Sequence, residues 1–135
     1  MNLELTEKQF RRLLDLVYIG NWVLNSTRPD DRISDYDEVE TAVFSKCESL
    51  DMKKLIERLQ GEIVPSQAFC EGGIQEAITD YEYTVFFEIL AEELARRDMQ
   101  EASLDENDEE ELNERILVYI AEFERNGTDN IILDM

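Results

Sequence analysis

The sequence predicts an all-α fold, a single-domain bundle of five to six helices over residues 1–135, closed by a short C-terminal strand or strap. Three observations lead there. Apolar residues recur at three- and four-residue spacing along most of the chain, only two prolines and five glycines interrupt them, and helix-start signals precede the periodic stretches.

The first helix is expected from Thr6, where Thr6-Glu-Lys-Gln9 forms a capping box in which each outer side chain takes the other residue's free amide; it ends before Pro29. On a helical wheel Phe10, Leu13, Leu14, Val17 and Leu24 share one stripe, while Leu16, Ile19 and Val23 form a second. Two apolar faces imply two partners, so Leu16, Ile19, Trp22 and Val23 are a candidate homodimer face. Trp22 reads equally as an interface anchor or as core. Asn21 and Asn25 continue the line of Leu14, Val17 and Tyr18. They are either a capped, partly exposed helix end or a polar contact that fixes a partner's register.

Ser34, with Asp37 three residues on, predicts a second helix carrying Tyr36, Val39, Val43, Phe44 and Cys47. A third helix is expected from Asp51 through Met52, Leu55, Ile56 and Leu59, with Gly61 at the left-handed position that ends helices. Residues 61–73 read as a connector with room for a short turn or strand. Ile74, Ala77, Ile78 and Tyr81 suggest one or two further turns. From Val85 to Ala95 apolar residues cover more than half of a helix circumference, which predicts a central helix in which Glu93 pairs with Arg97. The last helix follows an acidic stretch, carries Leu112, Ile116, Tyr119, Ile120 and Phe123, and ends at Gly127. The tail from Asn130 to Met135 reads as an edge strand or strap.

Charge is the other strong signal. The chain carries 33 acidic and 13 basic residues and no histidine, a formal net charge of −20. Residues 1–28 hold four basic and three acidic side chains, whereas Glu101 to Glu114 hold eight acidic and no basic ones. Such a field repels phosphate backbones and anionic membranes, so neither nucleic acid nor a membrane is an expected partner. The start lacks the basic and apolar regions of a secretory signal, and no run is long enough to span a bilayer, so a cytoplasmic location is expected. Cys47 and Cys70 lack metal or redox spacing and read as small buried residues.

The opening Leu5-Thr-x-x-Gln-Phe-Arg-x-Leu-Leu-x-Leu-Val-Tyr-x-Gly-Asn-Trp-Val-x-Asn resembles a group of small acidic uncharacterised bacterial proteins. So do the later Phe86-Phe-Glu-x-Leu-Ala-Glu-x-Leu-Ala-x-Arg-Asp98 and the acidic segment before the last helix. The resemblance covers about half of the chain. It implies a bacterial or phage-like origin and a helical fold, and brings no activity with it.

Without histidine, Ser-His-Asp and Cys-His catalysis and histidine-containing metal sites are excluded, and phosphate-binding glycine loops are absent. Carboxylate chemistry remains, as in helical Mg²⁺-dependent nucleotide pyrophosphohydrolases. Asp37 with Glu40, Glu48 with Asp51, and Glu111 with Glu114 have the required i, i+3 spacing. In so acidic a chain, however, roughly one position in sixteen begins such a pair by chance. Asp105, Asn107 and Glu109 imitate the start of a calcium loop, but Glu110 stands where that loop needs glycine and Ile116 where it needs a bidentate Glu. No cofactor and no metal site are expected. The preferred expectation is a non-enzymatic protein-binding module, an inhibitor or decoy for a basic partner, acting through Asp105, Glu106, Asp108, Glu109, Glu110 and Glu111. A structural homo-oligomer and a carboxylate-dependent Mg²⁺ enzyme are the alternatives.

Overall fold

Thr6 and Gln9 start the first helix as their spacing requires. The Thr6 N–H donates to Gln9 Oε1 at 2.9 Å and the Gln9 N–H to Thr6 Oγ1 at 3.2 Å, which opens α1 (Glu7–Asn25). The computed structural model describes all 135 residues. Beyond α1 it contains α2 (Ser34–Phe44), a hairpin of β1 (Ile56–Leu59) and β2 (Glu62–Pro65), a single turn α3 (Gln67–Phe69), and the long helices α4 (Gln75–Glu101) and α5 (Glu109–Asn126). The chain is thus mostly helical, at 67%, but with four long helices in place of the five to six expected. It divides into two compact units, Met1–Ile78 and Thr79–Met135.

In the first unit the apolar edge of α1, Phe10 and Leu14, is buried with Phe44, Cys47, Ile63, Phe69 and Ile74. Phe69 is the hub. Its ring lies edge-on to Phe44 at 5.1 Å and to Tyr18 at 5.4 Å, and the Arg11 guanidinium covers it at 4.8 Å. Burial pushes the Tyr18 phenol up to about 12, reinforced by the neighbouring Cys70 thiol and opposed by the Gln75 amide that donates to it.

The third helix expected from Asp51 to Gly61 is not there. Asp51 has a left-handed backbone (φ 56°), which breaks the helix where it was to begin, and the chain makes a short 3₁₀ turn (Lys53–Leu55) before β1. Gly61 lies inside a turn and ends no helix. Gln60 and Gly61 both have positive φ (52° and 83°), the two-residue turn whose twist matches an antiparallel pair, and Arg58 faces Ile63 across it. Ser66 then fastens the hairpin. Its hydroxyl donates to the Lys54 carbonyl at 2.6 Å and accepts from the Phe69 amide at 3.1 Å, which caps α3. A wide turn through Gly72 and Gly73 follows, with φ 109° at Gly73, a conformation few side chains tolerate.

The second unit is a helical hairpin. Phe87, midway along α4, meets Phe123, late in α5, with ring centroids 5.3 Å apart, and Ala95 and Met99, late in α4, pack with Leu112, early in α5. The two helices are therefore antiparallel. The buried ridge is Ala91, Ala95 and Met99, all fully covered, at the four-residue spacing of one helix face. The expected central helix is a surface one, since Phe86 is 50% and Ile89 56% exposed. Glu93 does not pair with Arg97, which instead binds the adjacent Asp98 carboxylate at 2.8 Å. Tyr119 also donates to Asp98, and these two contacts hold the Asp98 carboxyl below its ordinary range. Residues 131–135 form no strand, and Ile132 and Leu133 are exposed.

Candidate functional site

Every residue from Glu101 to Glu110 is exposed. The segment leaves α4 through Ser103, in left-handed conformation, and returns through an Asx turn in which Asp105 accepts from the Asn107 amide at 2.9 Å. Asp108 then caps α5, accepting from the Glu111 amide at 3.2 Å, and Glu109, Glu110 and Glu111 occupy the first helical turn, where the helix dipole favours negative charge. The six acidic residues expected to form a binding block are thus brought onto one loop and helix entry. Only Glu111 has an ion-pair partner, Arg115 at 2.6 Å; Asp105, Glu106, Asp108, Glu109 and Glu110 have none. The unit that carries them, Thr79–Met135, holds eighteen acidic and four basic residues.

The four residues of the expected oligomer face divide. Leu16 and Val23 are 68% and 58% exposed and lie seven residues apart on one side of α1. Ile19 packs onto the first core, and Trp22 is half-buried. Trp22 lines a small cleft of about 130 Å³ with Tyr18, Asn21, Ser26, Arg32 and Glu40.

That cleft borders a polar cluster which the sequence alone does not announce. Asn25 is 1% and Asn21 6% exposed, so they are no frayed helix end. Asn25 donates to the Ile33 carbonyl at 3.1 Å and to Asn21 Oδ1 at 2.7 Å, and its own Oδ1 accepts the Ile33 amide at 2.8 Å. Ile33 is the N-cap residue of α2 and has no capping side chain, so Asn25 of α1 holds the entry to α2 from across the loop. Asn21 donates to both Asp37 and Glu40 at 3.0 Å, and Arg32 grips Asp37 through two nitrogens at 2.6 and 2.7 Å. Arg32 holds the Asp37 carboxyl below its ordinary range, whereas burial pushes that of Glu40 up. No buried side-chain polar atom lacks a partner.

Of the i, i+3 carboxylate pairs, Asp37 and Glu40 share the donor Asn21, while in the other two pairs one member is taken up by an arginine, Glu48 by Arg58 at 2.8 Å and Glu111 by Arg115. No three His, Cys, Asp or Glu side chains are grouped so as to hold a metal ion. Cys47 is fully buried, while Cys70 is partly exposed with its thiol 3.7 Å from the Tyr18 hydroxyl, so only the first matches the expected buried pair. No helix is long and apolar enough to cross a membrane. In comparisons with known proteins, no family model, no curated protein and no solved structure matches the chain.

Proposed function

We propose that this chain is a non-enzymatic cytoplasmic binding module that engages a basic protein as an inhibitor or decoy, with Asp105, Glu106, Asp108, Glu109, Glu110 and Glu111 steering the encounter. The observation that carries this reading is the set of five exposed carboxylates without an ion-pair partner on one loop and helix entry. Fields of this kind act mainly on association rate and are screened over about 8 Å at physiological ionic strength. The test replaces Asp105, Glu106, Asp108 and Glu109 by Asn or Gln and compares pull-downs. Capture of basic proteins by the wild type should fall as salt is raised to about 0.5 M, and the neutralised variant should capture little at any salt. Undiminished capture by the variant would overturn the reading.

A second reading, a homodimer through α1, is favoured by the exposure of Leu16 and Val23 on one helix face. Light scattering tests it: a dimer mass that becomes monomeric in Leu16→Glu/Val23→Glu supports it, and a wild-type monomer mass rejects it.

A further inference from the structure

Between α4 and α5, at the end of the second unit remote from the acidic loop, lies a cavity of about 310 Å³. Its walls are aromatic. Tyr83 meets Phe87 at 5.0 Å with ring planes 74° apart, and Phe87 meets Phe123 at 5.3 Å with planes 38° apart, and all three rings line the space. Phe123 is buried, while Tyr83 is 64% exposed at the mouth. Glu88 and Glu124, one from each helix, complete the lining with Thr84 and Ile120, and no basic residue contributes.

Aromatic faces attract cations through their electron-rich centres, and carboxylates at the rim do so through charge. A purely apolar occupant would desolvate Glu88 and Glu124 without giving them a partner. A second copy of this chain would bring its own negative field, since Thr79–Met135 has fourteen more acidic than basic residues. Arginine answers both parts of the lining. Its flat, weakly hydrated guanidinium stacks on rings while its N–H fork binds carboxylates, which the compact and strongly hydrated lysine ammonium does less well. The space equals about ten waters at roughly 30 Å³ each, enough for the stem and head of one such side chain.

We propose that this cavity receives an arginine side chain of the basic partner, an assignment that rests on the acidic-module reading and gives it a specific anchor. Phe87 and Glu101 are fourteen residues apart on one helix, about 21 Å at 1.5 Å per residue. The partner surface that fits presents one projecting arginine and, about 20 Å away, a second basic patch facing the acidic loop.

The test uses the full chain and a blocked pentapeptide, acetyl-Gly-Gly-Arg-Gly-Gly-amide, with lysine and citrulline counterparts, followed by NMR at millimolar concentration. Ring currents should move the arginine methylene protons upfield and the Tyr83 and Phe123 signals should shift, less with lysine and not with the neutral citrulline. Glu88→Gln/Glu124→Gln should weaken binding roughly tenfold, as for loss of charge-assisted hydrogen bonds at a partly open site. Tyr83→Ala, at an exposed position, should weaken it without unfolding the protein. Neutralising Asp105, Glu106, Asp108 and Glu109 should leave peptide binding in place. Equal shifts with citrulline, or no loss in either cavity variant, would overturn the assignment. If the arginine peptide leaves Tyr83 and Phe123 unshifted while basic proteins are still captured in a salt-dependent way, the cavity assignment falls and the acidic module stands. If the peptide binds and capture ignores both salt and the acidic loop, the reading of the loop falls and the cavity stands.

Discussion

Replacing Asn25 by alanine should destabilise the first unit far more than its place near a helix end suggests. The side chain is 1% exposed and makes three hydrogen bonds, to both backbone groups of Ile33 and to Asn21. Alanine removes all three and leaves the donor and acceptor of Ile33 and the Asn21 oxygen without their partners. At about 1 kcal/mol for each bond, the loss is about 3 kcal/mol, a large share of the 5–15 kcal/mol that holds a typical domain together. Urea unfolding followed by circular dichroism measures it. With a slope of about 2 kcal/mol per molar, the midpoint should fall by about 1.5 M at unchanged slope. Asn25→Asp keeps an acceptor for the Ile33 amide but loses the donor and buries a charge, so at neutral pH its loss should exceed that of alanine and should shrink in acid. If Asn25→Ala costs less than about 1 kcal/mol, water replaces the side chain at little penalty and the α1–α2 entry does not depend on it.

Three further outcomes follow from single side chains. Burial raises the Glu40 carboxyl above its ordinary value, so its protonated form favours the fold: that contribution is full below the unfolded value near 4.5 and is lost as pH rises through the folded one. Glu40→Gln should therefore be more stable than wild type at neutral pH, with the difference fading as pH falls to about 4; equal stability at both pH values in urea titrations would refute this. Asp108→Ala should lose the α5 cap at a cost of about 1 kcal/mol in thermal or urea unfolding, whereas Asp108→Asn should keep it, because asparagine caps as well as aspartate. Gly61→Ala places a side chain at φ 83° and should cost roughly 1–2 kcal/mol, although open space surrounds the position; a neutral result would mean that the turn relaxes.

What could be read from the sequence was what short range decides. The Thr6–Gln9 capping box, the last helix with its acidic first turn and the end of that helix at Gly127 each depend on residues within four positions of one another, and each is present. The hairpin was lost because Met52, Leu55, Ile56 and Leu59 satisfy a helical spacing, and four-residue strands are too short for alternation to outweigh it. The deciding fact, a left-handed Gln60 before Gly61, leaves little trace in composition. The polar cluster was hidden for a different reason. Asp37 and Glu40 form one of many carboxylate pairs in an acidic chain, and what singles them out is Asn21, sixteen and nineteen residues away. Arg97 likewise had a local partner in Glu93 but binds Asp98, where Tyr119 of the other helix joins it. The aromatic cavity escaped because it needs Phe123 opposite Phe87, a pairing of helices that periodicity cannot supply.

Trp22 is the chain's only tryptophan and lies in the first of the two units, beside Asn21 and Glu40. Its emission is therefore a private signal of that unit, whereas far-ultraviolet circular dichroism reports both, because α1 and α2 belong to the first and α5 and most of the 27-residue α4 to the second. Denaturation followed by both probes becomes a measurement of cooperativity. Coincident curves would mean that the halves melt as one body, and displaced curves would assign a separate free energy to each, with no engineered label required.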